Sequence, residues 1–446
     1  MTRKNVALVT LGCSKNEIDS EMVLGYFKSK GFEITTDLNN AENIIVNTCG
    51  FIESAKVEAI NTILDMVDYK QNGVCKNIIV IGCLAKRYKQ QIIEELPEVD
   101  LVIGVDEYIH IDEILSNFFN LTCEGLNLKF TNRIVSTKFP TAYIRIADGC
   151  NNNCNYCAIP LIRGKLKSRR IEDIVIEAKG LVESGIQELV VIAQDTTSFG
   201  IDIYGKPMLY ELLRELSMLD VKWIRVLYMY PGKVTDELLE EIANNPKICS
   251  YFDLPIQHIS NNMLKAMNRH TSKEETYELL NKIREKVPDA IIRTTVMLGF
   301  PGETEQDFNE LIECIEKFKF ERLGAFTFSR EDDTVSYNML PQIEEVIKKE
   351  RYNKVMECQQ KVLELQMKNN IGKVLEVLVQ DVSDDEKYFV CRSYMDAPDV
   401  DPKIYLPINK NTAHIIVGGF YTVKLTDING YDYVCDIMEE KELNYV

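Results

Sequence analysis

Ala142-Tyr-Ile-Arg-Ile-Ala-Asp-Gly-Cys150-Asn-Asn-Asn-Cys154-Asn-Tyr-Cys157 joins an apolar, β-favouring run to three closely spaced cysteines. Three thiolates this near one another can hold three corners of one iron–sulfur cube, which leaves the fourth iron without a protein ligand. An open metal position is a place for something else to bind, as it is in catalytic zinc centres. The competing readings are a zinc site short of its fourth ligand and unpaired loop thiols. The whole chain has 4 histidines and none lies near this loop, which counts against zinc. Outward from the motif, β-then-α alternation recurs about six times. The apolar runs are 142–147, 188–193, 223–230, 250–256, 291–298 and 322–328, and a long charged helix is expected over 342–368. Six units are too few for the usual eight-stranded barrel, so a partial, crescent-shaped barrel over 136–370 is expected, its site at the C-terminal ends of the strands.

Upstream, runs at 6–11, 43–47, 77–81 and 100–103 alternate with helix-period segments at 16–30, 52–69 and 88–95, which predicts an open parallel α/β sheet over 1–125. Cys13, Cys49 and Cys83 each stand just past the C-terminal end of one of these runs. In an open sheet those ends line one crevice, where ligands bind. Cysteine is also a small buried hydrophobe, and that explains any one of the three. It explains poorly why all three share one structural position, so a second three-cysteine cluster is expected. Cys75, Cys123, Cys249, Cys314, Cys358, Cys391 and Cys435 lack such company and read as core or incidental thiols. A polar bridge at 121–138 separates the first two units.

Downstream, period-two runs at 373–380, 388–393, 421–428 and 432–437 predict a small antiparallel β-barrel over 371–446. Three units agree with the length, 446 residues. With 46% apolar residues the chain is not disordered, and no run approaches the roughly 18–20 apolar residues that span a bilayer. The start, Met1-Thr2-Arg3-Lys4, faintly imitates a secretion signal. Its apolar stretch is short and runs into Lys15, Glu17 and Asp19, so a cytoplasmic protein is expected. There, 13 cysteines point to metal or redox chemistry, since structural disulfides rarely persist. The formal charge of −18 disfavours nucleic acid as the main partner and favours a basic one, and without a spanning run no membrane is expected as a partner.

Cys-x3-Cys-x2-Cys after the first strand of a partial βα barrel, with Tyr156 before the last cysteine, resembles the radical S-adenosylmethionine superfamily. The resemblance implies a 4Fe-4S cluster on Cys150, Cys154 and Cys157, with S-adenosylmethionine chelated by the open iron. Many members carry Gly-Gly-Glu after the second strand to hold the methionine amine; this chain has Ala193-Gln194-Asp195-Thr196-Thr197. The cofactor contacts implied are Tyr156, Gln194, Asp195, Gly299 and Gly302. Two three-cysteine sets and three such units together resemble the methylthiotransferases, whose third domain is called TRAM, an OB-like barrel. The phrases that carry this run the length of the chain: Leu11-Gly-Cys-Ser-Lys-Asn16, Asn47-Thr-Cys-Gly-Phe51, Ile159-Pro with Arg163-Gly, Leu254-Pro-Ile-Gln-His258 and Gly299-Phe-Pro-Gly-Glu-Thr304. The family replaces an unactivated C–H by C–SCH3. It implies an auxiliary 4Fe-4S cluster on Cys13, Cys49 and Cys83, one S-adenosylmethionine as methyl donor and a second as radical source, with a reductant such as flavodoxin or ferredoxin.

One branch of the family modifies adenosine in transfer RNA; another modifies an aspartate β-carbon of protein twelve of the small ribosomal subunit. Gly12-Cys-Ser-Lys-Asn16, Gln194-Asp-Thr-Thr197 and Arg392-Ser-Tyr-Met-Asp-Ala-Pro-Asp-Val-Asp401 resemble the second. Residues 372–446 carry seven Lys and Arg against fourteen Asp and Glu, net −7. A barrel that grips polyphosphate should be basic, whereas an acidic one suits a basic ribosomal protein. The bland reading of that charge is solubility. His258 is either a chamber residue or a hydrogen-bonded core histidine. Pro301 to Thr304 is a strand-to-helix turn with Glu303 or Thr304 at the helix start. Lys165, Lys167, Arg169 and Arg170 read first as a solvated face, with a ligand-binding role as the alternative. A two-cluster electron carrier and a non-catalytic ribosome-binding factor are the competing classes. Neither accounts for a barrel built around the cysteine loop. No acid or base is assigned.

Overall fold

The computed structural model describes residues 4–438. Met1, Thr2 and Arg3 of the secretion-like start, and residues 439–446 of the third expected unit with part of its acidic surplus, lie outside the described residues. The first unit is a five-stranded sheet of β1 (Asn5–Thr10), β2 (Glu33–Ile34), β3 (Asn43–Thr48), β4 (Asn77–Gly82) and β5 (Leu101–Gly104). Their order is β2-β1-β3-β4-β5 and every neighbouring pair is parallel. Both faces are covered, which is why these strands read as unbroken Ile and Val runs. Ile44, Val46, Ile78 and Val80 pack toward Ala59 and Ile63 of the helix Glu53–Asn72. Their neighbours Ile45, Ile79 and Ile81 turn the other way, onto Val23 and Phe27 of Ser14–Ser29 and Leu115 of Ile111–Phe119.

The second unit carries β6 (Thr141–Arg145), a short hairpin of β7 (Ala147–Asp148) with β8 (Lys167–Ser168), then β9 (Glu188–Ile192), β10 (Trp223–Val226), β11 (Tyr251–Asp253), β12 (Ile291–Leu298) and β13 (Arg322–Thr327). Two parallel three-stranded sheets, β10-β9-β6 and β11-β12-β13, are joined by Cys249 N–H to Ile224 O at 2.9 Å and Met229 N–H to Asp253 O at 2.9 Å. The result is an open arc of six parallel strands, the partial (βα)6 barrel expected. The run 223–230 leaves the ladder after Val226, because Tyr228 adopts φ 62°. Its N–H donates to the Asp253 carboxylate (2.8 Å), and its carbonyl accepts from Thr196. The run 250–256 likewise ends early, and Gln257 beyond it has φ 66°.

The third unit is a closed barrel, β14-β15-β16-β18-β17, of β14 (Val374–Val382), β15 (Tyr388–Ser393), β16 (Ile404–Pro407), β17 (Phe420–Asn429) and β18 (Asp432–Ile437). Its pairs are antiparallel except β16 with β18, which is parallel and closes the cylinder. β16 is absent from the sequence reading because it offers four residues ending in proline, too short for a period to register.

Glu188 of β9 is fully buried between Arg225 of β10 and Arg392 of β15. Asp396 pairs with Arg322 at 2.7 Å, and Asp401 accepts the Tyr251 hydroxyl at 2.5 Å. The 392–401 segment is therefore a clasp between the central and third units, buried over 392–398 apart from half-buried Tyr394. The bridge at 121–138 crosses the helix Ser14–Ser29, where Glu21 takes the Arg133 guanidinium and the Ser136 N–H. No helix among the described residues is long and apolar enough to cross a membrane.

Candidate active site

Cys13, Cys49 and Cys83 stand at the C-terminal ends of β1, β3 and β4, and two glycines let the strand ends crowd together. A Cβ on Gly12 would lie 2.6 Å from Cys49 Cβ, and one on Gly82 would lie 2.3 Å from Asn47 Oδ1; both have positive φ. Asn16 ties the loops, donating to Leu11 O and Thr48 O. Cys49 and Cys83 are buried, while Cys13 is exposed. In the central unit, Gly149 (φ 71°) turns the chain out of β7 into the Cys150–Cys157 loop, where a Cβ would meet Lys165 O at 2.2 Å. Cys150 N–H then bonds Gly164 O at 3.2 Å.

All six of these cysteines line one cavity of about 350 Å³ between the first and second units. Arg163, at the end of the helix Ile159–Arg163, joins the two sides. It donates to Asp19 at 2.6 Å and to Asn16 Oδ1 at 2.8 Å in the first unit, reaches Asp148 at 3.3 Å in its own, and lies 3.6 Å from Cys83 Sγ. Burial pushes the Cys83 and Cys157 thiols up to about 12, and raises Cys49 and Cys150 as well. Thiols so desolvated are not nucleophiles by themselves; coordination to a metal is what takes their protons.

No histidine lines the cavity, so no zinc ligand of that kind completes either triad. No group of three or more His, Cys, Asp or Glu among the described residues converges as for a single ion. In a cube each thiolate bonds a different iron, so its sulfurs need not share one centre. Two sets of three soft donors at one apolar-walled cavity fit two such cubes.

Of the residues implied for cofactor contact, Tyr156, Gln194 and Asp195 line the cavity. Tyr156 accepts from Arg269 at 3.1 Å and stands edge-on to Phe300. Asp195 is already engaged, by Asn152 (2.8 Å), Thr197 (2.6 Å), Ser198 (2.6 Å) and Lys233 (3.0 Å). Burial opposes its ionisation, yet Lys233 and these donors hold its carboxyl below the usual range. Gln194 gives its amide N–H to Asp148 at 3.0 Å and keeps a buried Oε1 without a partner. Gln257, also on the wall, has the same unpartnered Oε1. Two free buried acceptors suit a ligand that brings N–H donors.

Gly299 and Gly302 do not line the cavity. Gly299 packs under the Lys348 stem, its N–H on the Glu303 carboxylate, and Gly302 N–H bonds Pro341 O. Thr304 caps the following helix through Asp307. His258 is a core histidine: fully buried, its Nδ1 accepts the N–H groups of Ile259 and Ser260, and burial lowers it to about 4. Lys165, Lys167 and Arg170 are exposed, and Arg169 pairs with Glu177 at 2.6 Å. Sequence reasoning missed Lys15, Tyr228, Tyr230, Gln257 and Arg269 on the wall. The early strand ends, marked in the sequence only by Leu227–Tyr230 and Pro255, bring several of them there.

Three family models match the chain: the uncharacterized protein family UPF0004 over residues 5–104, the radical SAM superfamily over 144–315 and the TRAM domain over 371–437. Among solved structures, the radical S-adenosylmethionine methyltransferase TsrM from Kitasatospora setae covers 73% of this chain and 75% of its own, with TM-score 0.55 and 13% identity, a likeness of fold. Proteins named ribosomal protein uS12 methylthiotransferase RimO match almost end to end. Those of Clostridioides difficile and Alkaliphilus oremlandii are 46% and 45% identical, each match covering 98% of this chain and 99% of that protein. That of Acetivibrio thermocellus is 43% identical, with the same coverage. With the three units in this order and near-complete coverage at such identity, the chain belongs to the RimO family of ribosomal protein uS12 methylthiotransferases.

Proposed function

We propose that this chain is a radical S-adenosylmethionine methylthiotransferase that converts the β-carbon C–H of an aspartate in ribosomal protein uS12 to C–SCH3. The observation that carries the reading is the facing of two cysteine triads across one cavity. Cys150, Cys154 and Cys157 hold the 4Fe-4S cluster that binds S-adenosylmethionine; Cys13, Cys49 and Cys83 hold the auxiliary 4Fe-4S cluster. When bound, these groups supply a carbon radical that removes a hydrogen atom and the methylated sulfur that replaces it. The chain's own part is placement. Arg163 locks the two cysteine-bearing loops together, and Gln194 and Gln257 offer acceptors to the methionine amine. The apolar wall of Phe51, Ile159, Pro160 and Met229 keeps water from a reactive centre. The protein works in the cytoplasm on a basic ribosomal partner, free or within the ribosome, with a flavodoxin- or ferredoxin-type reductant.

The test is anaerobic. Protein reconstituted with iron and sulfide, given S-adenosylmethionine, dithionite and a peptide of the uS12 aspartate loop, should add the mass of SCH3 less H to the peptide and form 5′-deoxyadenosine. Cys13→Ala, Cys49→Ala and Cys83→Ala should keep cofactor cleavage and lose sulfur insertion; Cys154→Ala should lose both. Modification of transfer RNA in place of the peptide would refute the substrate assignment, and no cofactor cleavage would refute the enzyme.

A further inference from the structure

Three cationic side chains line the cavity: Lys15, Arg163 and Arg269. Arg163 is neutralised by Asp19 and Asp148. Arg269 has no carboxylate; it is bound to the Tyr156 hydroxyl and Pro255 O, within the cysteine loop's surroundings. Lys15 is barer still. It is 6% exposed, two residues past Cys13, and among the described residues its Nζ has neither an ion-pair partner nor a hydrogen bond. It lies over the Tyr228 ring, 2.9 Å from the centroid. Lysine is almost never buried to this degree without a counter-charge. An aromatic face supplies part of what is missing, but not a hydrogen-bond acceptor. The support is itself held in an unfavourable backbone conformation: Tyr228, at φ 62°, is fixed by Asp253 and Thr196. Such over-determined strain concentrates at ligand sites.

We infer that Lys15 binds the carboxylate of the substrate aspartate and makes the enzyme select an acid over its amide. The inference rests on the proposed function. The reacting β-carbon is bonded directly to that carboxylate, so the cation that holds the carboxylate also fixes the reacting C–H within one bond's length. A carboxylate entering a water-poor cavity needs a charged partner there. Of the cations on the wall, Arg163 is already paired. Arg269, tied to Tyr156, is placed for the methionine carboxylate. Lys15 is then the free charge on the auxiliary-cysteine side, where sulfur must meet the substrate carbon. Its three donors on a flexible stem can follow a side chain that enters from outside.

The experiment uses cluster-loaded holoenzyme with S-adenosylmethionine and no reductant, so that binding is read without turnover. Fluorescence anisotropy measures a labelled uS12-loop peptide carrying Asp or Asn at the target position, and equilibrium dialysis measures S-adenosylmethionine. Wild type should bind the Asp peptide about 30-fold or more tightly than the Asn peptide, the lower range for leaving one buried charged partner unpaired. Lys15→Met should bring that ratio close to one by weakening the Asp peptide alone. It should leave S-adenosylmethionine affinity in place. Lys15→Arg should recover part of the preference. Equal loss for both peptides in Lys15→Met, or loss of S-adenosylmethionine affinity with the Asp preference intact, overturns the assignment. Should Lys15→Met fail to fold, the wild-type ratio and Lys15→Arg decide. Wild type that modifies the Asp peptide but binds both alike overturns this inference alone. Wild type that leaves the Asp peptide unmodified with reductant present overturns the proposed function and this inference with it.

Discussion

Glu188→Gln removes one negative charge from a place where two positive ones depend on it. The carboxylate is fully buried and accepts from Arg225 Nε at 3.0 Å, from both terminal nitrogens of Arg392 and from Thr141 Oγ1 at 2.9 Å. An amide keeps the shape but cannot balance either guanidinium. Stranding a buried charge in this way costs about 3–5 kcal/mol. Titration gives a second route to the same magnitude. Burial alone would raise Glu188, but the Arg392 and Arg225 guanidinium groups and the attached donors outweigh it and bring it from 4.5 down to about 2. A depression of that size is worth roughly 3 kcal/mol at neutral pH. Because the folded value is the lower one, this stability is complete above pH 4.5 and is lost as pH falls toward about 2. The chain supplies its own reporter at this joint: its 1 tryptophan, Trp223, stands edge-on to Phe420 of the third unit with centroids 4.9 Å apart. Urea leaves ion pairs unscreened, so Trp223 fluorescence followed through a urea titration reads the clasp directly. With about 1–3 kcal/mol per molar urea, Glu188→Gln should lower the midpoint by roughly 1–5 M. Wild type should lose a comparable amount between pH 5 and pH 2. A midpoint that moves by less than about 1 kcal/mol's worth, or a wild-type midpoint flat over that pH range, refutes the account of Glu188 as the centre of the clasp.

Gly25→Ala lies mid-helix, where alanine ordinarily gains about 1 kcal/mol. Here the new methyl would sit 2.1 Å from Asn132 O, so a net loss of about 1–3 kcal/mol is expected in chemical denaturation, and any gain would show that the 130–133 crossing is not held against this helix. Glu17 is raised to about 7 by burial and by Glu21, so its ionisation works against the fold as pH rises from 4.5 through 7. Glu17→Gln should raise the thermal midpoint at pH 8.5 by about 1 kcal/mol's worth, discounted for the solvent that still reaches the group, and leave it unchanged at pH 4.5; an equal shift at both values would refute the electrostatic cause.

The cysteine positions were legible because both triads obey a rule that needs no coordinates: ligands gather past the C-terminal ends of parallel strands. The parallel sheet was legible in the same apolar runs, since Ile44 to Val46 and Ile78 to Ile81 are apolar on both faces only if both faces are covered; the order of its strands was not. What was not legible depends on contacts between units. The run 223–230 is uniformly β-favouring, and only the pull of Asp253 and Thr196 on Tyr228 takes it out of the sheet. Gly299 and Gly302 carry a motif resemblance, but they meet Lys348 and Pro341 rather than the cavity. The wall cations Lys15 and Arg269 have no local signal at all. Each is distinguished by lacking a carboxylate partner, a property no single sequence displays.

The 392–401 segment shows how a branch-like phrase and the reason for it can separate. Its acids contribute to the net charge that points to a basic partner, yet Asp396 and Asp401 face Arg322 and Tyr251 inside the protein. Charge already matched internally exerts little field on an approaching molecule. The acidity that an outside partner can meet is carried instead by Asp384, Asp385 and Glu386 on the β14–β15 turn and by exposed Asp399. Asp399 raises both Glu17 and Tyr143 on the flank of the first two units, so it lies electrostatically within reach of the helix Ser14–Ser29. A basic loop drawn by that field is guided by acidic groups that it can neutralise, whereas its target side chain is an acid that the same field repels. Long-range attraction and local selection therefore need opposite charges. The exposed acids of the third unit supply the first, and Lys15 on the cavity wall supplies the second.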